Sequence, residues 1–163
     1  MGLFIDYPGG QAVKILLYRL RKLRGLKPKE GKWLIQAQWE LARAQLRLRT
    51  TARGKMVFGR IPDSAAGPVL EEPELAHGLA LAVERAAEHG IFRPKCLVRA
   101  LALQALLERH GVHGGQVRIG VRMQDAAFHA HAWVEFGEII LGDRSAHVKT
   151  FVPVTGAQVR DVV

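Results

Sequence analysis

The chain has 163 residues, 48% of them apolar and 24% charged, with a single cysteine. A chain this long buries roughly two thirds of the surface its unfolded form exposes, so it needs neither a disulfide nor a structural metal to fold. Low-complexity and collagen-like classes are excluded. The formal charge of +9 is unevenly placed: residues 1–60 carry fourteen Lys and Arg against three Asp and Glu, whereas 61–163 carry ten against twelve. The balance divides the chain into a basic helical N-terminal segment, 1–60, and a nearly neutral domain, 61–163. There is no run of 18 apolar residues, which argues against a membrane-spanning helix. Asp6, Pro8 and Gly9-Gly10 interrupt any signal-peptide core, and Asp6 stands where a myristoylation signal wants Ser or Thr. Cys96 alone forms no intramolecular disulfide and fits a reducing compartment, so the expected location is cytoplasmic.

The first expected helix sets Val13, Leu16, Leu17, Leu20 and Leu23 at helical spacing, with Arg19, Arg21, Lys22 and Arg24 largely opposite, and ends at Gly25. A second restarts at Lys27-Pro28, where proline suits the first turn, and carries Trp33, Leu34, Ala37, Leu41, Ala44 and Leu48 on one stripe until Thr50-Thr51. Glycines and prolines between Arg53 and Pro68 read as a linker or irregular loop. Glu71-Glu72-Pro73-Glu74 opens a third helix, 71–89, whose buried face is Leu75, Leu79, Ala82, Val83 and Ala86 and whose cap is Gly90. The fourth, 95–110, carries Cys96 and stops at Gly111.

After it the period changes to two. Val117, Ile119 and Val121 alternate with polar residues or glycine, and Ala130, Ala132, Val134 and Phe136 alternate with His129, His131, Trp133 and Glu135. Apolar runs at 138–141 and 148–152 complete an expected antiparallel sheet over 116–153. Helices followed by strands make an α+β arrangement.

Cys96, His131 and Asp143 invite a combined reading. Cysteine is a nucleophile only as thiolate, a form favoured by a helix N-terminus and by a neighbouring imidazolium. Position 96 follows Arg93-Pro94-Lys95, where such a helix begins. A histidine on a strand facing that helix takes the thiol proton, and an acidic residue beyond the next strand holds the other imidazole nitrogen. The order Cys, His, Asp on helix, strand, strand is that of papain-like and transglutaminase-like cores. Each residue also has a plainer reading: inert core cysteine, satisfied core histidine, turn aspartate.

The stretch Cys96-Leu97-Val98-Arg99-Ala100-Leu101-Ala102-Leu103-Gln104-Ala105-Leu106-Leu107-Glu108-Arg109-His110-Gly111 resembles the cysteine helix of the lasso-peptide leader peptidases, the B proteins of lasso-peptide biosynthesis. So do Ile119-Gly120-Val121-Arg122 and Phe128-His129-Ala130-His131-Ala132-Trp133-Val134-Glu135. The resemblance spans about residues 75 to 153; the basic, leucine-rich residues 11–60 are typical of the family but carry no motif. It implies a transglutaminase-like core with the cysteine helix packed on an antiparallel sheet, and a Cys-His-Asp triad falling on Cys96, His131 and Asp143, the last placed by spacing. Trp133, His129 and Glu135 share the histidine's strand face as supporting residues. Trp133 covers the imidazole, and small Ala130 and Ala132 let the strand approach the helix. It further implies a cysteine peptidase that removes the leader from a ribosomally made precursor through a thioester, without a cofactor. The form is expected to stand alone without the leader-recognition domain fused to longer B proteins. Its expected partners are the precursor peptide, a separate leader-recognition protein and a lasso cyclase.

Other readings are weaker. His129-x-His131 with Cys96 and His147 suggests zinc, but lacks the second local ligand pair of structural sites, so no metal is expected. The basic segment suggests nucleic acid or an anionic membrane, yet its arginines lie opposite apolar faces. Tyr18, Trp33 and Trp39 are too few for a stacking platform. Neither nucleic-acid binding nor stable membrane insertion is expected, and docking of an acidic partner suits the charge better. The alternatives for function are another Cys-His-Asp acyl-transfer enzyme of this fold, or a non-catalytic docking scaffold.

Overall fold

A computed structural model describes residues 28–50, 57–59, 72–154 and 158–160. The expected helix over 13–23 and the boundary at residue 60 lie outside the described residues. Helix α1 (Pro28–Thr50) opens on the proline and carries Glu30 in its first turn and Arg47 and Arg49 in its last, an order that complements the helix dipole. A short strand, β1 (Val57–Gly59), lies within the stretch expected to be a loop. Three residues are too few to show a period, so no sequence pattern announces it.

Helix α2 (Pro73–His89) has its proline at the start and Glu74 in the first turn. Gly90 ends it in an extended conformation, its N–H donating to the Ala86 carbonyl (2.9 Å), rather than as a left-handed cap. Helix α3 (Cys96–Arg109) follows after a short irregular link. Strands β2 (Gln116–Gln124) and β3 (Ala127–Phe136) then form a long antiparallel hairpin. Its two-residue turn, Asp125-Ala126, has positive φ at both positions, which matches the right-handed twist of the strands it joins.

Strand β4 (Ile139–Leu141) pairs with β3. The run expected as a last strand over 148–152 instead begins as one helical turn, α4 (Ser145–Val148), and only β5 (Val152–Pro153) pairs, with β2. The last described strand, β6 (Gln158–Arg160), pairs with β1 in a separate two-stranded sheet. The larger sheet is antiparallel with order β4-β3-β2-β5. The fold class is α+β, as the order of elements implied.

The main core lies between the helices and one face of this sheet. Leu41 of α1, Leu79 of α2, Leu103, Leu106 and Leu107 of α3, and Val117, Val134 and Leu141 of the sheet are all nearly inaccessible. α3 buries Val98, Ala100, Ala102, Leu103, Leu106 and Leu107, which is more than one stripe of its surface, as suits a helix covered on several sides. Glu40 of α1, 5% exposed, accepts a hydrogen bond from Arg109 Nη1 at 3.0 Å, and Gln36 of the same helix meets His110 Nε2 at 3.0 Å. A buried carboxylate without such a partner would be costly. Gln104 donates to the Gly115 carbonyl (3.1 Å), fastening α3 to the start of β2. A second, smaller cluster of Trp133, Val148 and Phe151 covers the opposite face of the sheet.

Candidate active site

Successive residues of a strand point to opposite faces. In β3 this sends Ala132, Val134 and Phe136 into the helix core and places His131, Trp133 and Glu135 on the other face. β4 covers β3 only from Val134 to Phe136, so His131 lies beyond the paired stretch. Leu141, Gly142 and Asp143 leave the end of β4 toward it. Gly142 has φ +75°, a conformation that L side chains rarely adopt, and a Cβ there would stand 2.7 Å from Leu103 Cδ2. That turn delivers the Asp143 carboxylate to His131, where Oδ2 and Nε2 form a short hydrogen bond.

Asp143 is held by more than one donor. Its Oδ1 accepts the Arg144 backbone N–H at 2.6 Å, and His147 Nδ1, one turn on, lies 3.2 and 3.3 Å from the two carboxylate oxygens. Burial alone raises the Asp143 pKa, but hydrogen bonds from His131, the Arg144 N–H and His147, with the charge of His131, outweigh it and hold the carboxyl below its usual 3.8. The carboxylate is therefore kept ionised and aimed at the imidazole.

His131 is fixed by its neighbours as well. Trp133 stacks at 23° with centroids 6.2 Å apart, and Phe151 lies 5.1 Å away. Gly120 of β2 sits directly opposite His131, and a Cβ there would approach Trp133 Cη2 at 2.8 Å and Phe151 Cβ at 2.9 Å. Only a residue without a side chain leaves room for both rings behind the histidine. Arg122 lies over the outer side of Phe151, 4.6 Å from its centroid, and donates to Thr150 Oγ1 at 3.0 Å.

With Nε2 engaged by Asp143, the remaining nitrogen of His131 is Nδ1. His131, Asp143 and Cys96 line one cavity of about 590 Å³. Cys96 is the first residue of α3 and is partly buried; Lys95, the residue before it, makes no side-chain cap. The first amides of a helix have no partner within it. Among the described residues, no N-cap side chain occupies those of α3 beside the thiol. Across the cavity α2 presents His77, Leu81, Glu84 and Glu88, spaced as one helical face, and α3 adds Arg99.

The structure thus gathers Cys96, His131, Asp143 and Trp133 around one cavity. His129 and Glu135 share the strand face but do not line it. His129 is exposed, and Glu135 is taken by Arg118 Nε at 2.5 Å. Gly120, Gly142, Phe151 and His147 belong to the site; sequence reasoning named His147 only as a zinc candidate beside His129, His131 and Cys96, and gave the other three no role in the site. His147 had a signal, its i+4 relation to Asp143. The glycines and Phe151 had none, because their roles depend on what the fold places beside them.

Among the described residues no helix is long and apolar enough to cross a membrane. Neither a curated protein nor a solved structure matches the chain. A family model described as the transglutaminase-like superfamily matches residues 33–156, beginning within α1 and ending just past β5. That superfamily generally includes cysteine peptidases and acyltransferases. With the match covering most of its length, the chain belongs to the transglutaminase-like superfamily.

Proposed function

We propose that this protein is a cysteine peptidase that removes the leader from a ribosomally made lasso-peptide precursor, with Cys96 as nucleophile, His131 as general base and acid, and Asp143 as the residue that orients His131. The observation that carries the reading is the His131 Nε2–Asp143 hydrogen bond. It leaves Nδ1 of a clamped imidazole for the thiol that lines the same cavity.

The chemistry follows from these positions. His131 Nδ1 accepts the Cys96 proton, and Asp143 holds the resulting imidazolium. The thiolate attacks the scissile carbonyl, and the Cys96 backbone N–H at the start of α3 stabilises the oxyanion that forms. Collapse breaks the C–N bond, His131 returns its proton to the leaving amine, and the leader remains as a thioester on Sγ. Water, deprotonated by His131, attacks the thioester. The leader leaves as a carboxylic acid and Cys96 is regenerated. Trp133 and Phe151 keep water from the inner side of the imidazole, which strengthens its interaction with Asp143.

The substrate assignment rests on the resemblance of the cysteine helix and the His131 strand to the leader peptidases. A separate leader-recognition protein delivers the precursor and a cyclase takes the released core. The test is incubation of the chain with a precursor and its leader-binding partner, followed by mass measurement of the products. The expected products are a free leader acid and a core peptide with a new N-terminus. Wild-type chain that leaves the precursor intact, or that yields an amide of an added amine in place of the acid, refutes the reading. Cys96→Ala abolishes release without lowering the melting temperature.

A further inference from the structure

We propose that His131, Asp143 and His147 form a binding site for a divalent transition-metal ion of the zinc type, and that its occupancy switches off the cavity's chemistry. The switching half rests on the peptidase reading; the binding half does not.

One ligand atom from each residue lies within 4.8 Å of the other two. An ion with bonds of about 2.0–2.2 Å spans such a set after small side-chain rotations. Two imidazoles and a carboxylate are a donor set that zinc accepts while keeping a coordination position for water. His147 is already placed for this role, with Nδ1 near both Asp143 oxygens and its ring centroid 4.7 Å from that of His131. Phe151 lies against both imidazoles, at 5.1 and 5.3 Å, and the Arg144 N–H orients the carboxylate at 2.6 Å. Outer partners of this kind fix ligand rings and are a recurrent part of metal sites. The His147 side chain is 42% exposed against 17% for His131 and 19% for Asp143, so the ion enters from the His147 side.

Binding replaces a proton. The hydrogen that His131 Nε2 shared with Asp143 Oδ2 moves through solvent to Nδ1, and the freed lone pair of Nε2 goes to the ion. Asp143 then offsets one of the ion's two charges, and His131 Nδ1, now carrying a hydrogen, has no lone pair to accept the Cys96 proton. Proton transfer from Cys96 stops without any change at the cysteine itself.

The site is distinguishable from a thiolate–imidazole site on Cys96 and His131. Titration of zinc chloride into the full chain, followed by calorimetry, is expected to give one ion per chain. Cobalt(II) in its place is expected to give the visible absorption of a nitrogen- and oxygen-ligated ion. Cys96→Ala retains both signals. His147→Ala weakens zinc binding by more than about tenfold, the scale on which even outer partners of a metal site act, with an unchanged melting temperature. Zinc inhibits leader release by the wild-type chain at the concentration that saturates the calorimetric site. Loss of binding in Cys96→Ala, or undiminished binding in His147→Ala, overturns the proposal. His147-dependent binding in a chain with no peptidase activity upholds the site and refutes only the peptidase reading.

Discussion

The two faces of β3 differ both in how far they are covered and in what covers them. On the helix side Ala132, Val134 and Phe136 are 7%, 0% and 3% exposed and belong to the apolar core shared with the helices. On the other side Trp133 is as buried, at 3%, yet its neighbours are an imidazole, a backbone made bare by Gly120, and Phe151. The helix face needs volume, which several combinations of apolar residues supply. The His131 face needs particular residues, because each holds a charged or hydrogen-bonding group in one orientation. At Trp133 burial alone does not set the site apart from the core; the chemistry of its neighbours does.

The largest expected difference between them is in activity. His131→Ala lowers the rate of leader release by ~10²–10⁴, the usual worth of a positioned acid–base group, and Asp143→Asn falls in the same range. Single-turnover rates on precursor check both, and wild-type turnover in either would erase the distinction between the faces. Phe136→Ala breaks the opposite face. It is expected to cost about 3–5 kcal/mol of stability, read by denaturant unfolding, while the rate per folded molecule is retained.

Gly120→Ala sits between the two effects, since its new methyl group must displace Trp133 or Phe151 behind the histidine. The expected cost is about 1–3 kcal/mol, typical of overpacking, together with a fall in turnover that Phe136→Ala does not show. Equal turnover in both variants would mean that the packing behind His131 does not position it. The smallest effect is in pH dependence. The folded Asp143 carboxyl titrates below the 3.8 of the free group, so its ionisation stabilises the fold. That contribution is whole above pH 3.8 and is lost as the pH falls through the lower folded value. Melting curves of wild type and Asp143→Asn should differ near neutrality and converge in acid; a constant gap would show that the carboxylate adds nothing through its charge.

Much of this arrangement was legible from residue order. The stripe Trp33, Leu34, Ala37, Leu41, Ala44, Leu48 and the proline at 28 locate α1, and the change of period after Gly111 locates the hairpin. Asp143, placed by spacing alone, meets His131. The run 148–152 misled because a few apolar residues have no period; the chain uses Val148 and Phe151 to cover Trp133 instead of extending the sheet. Glu40 falls at helical spacing among Ala37, Leu41 and Ala44 on the buried face of α1, and the sequence does not show that Arg109 of α3 supplies its partner.

By itself, the sequence determined where the helices and the long hairpin fall and which face of each is apolar. Those properties depend on neighbours within a turn of helix or along one strand, and local spacing records them. The tertiary structure alone decided that Trp133 on the polar-looking face of β3 is covered, that Gly120 makes room for two rings, and that His147 joins His131 at one carboxylate. These are contacts across segments far apart in the chain. Only the packing of the sheet against its two coverings brings them together.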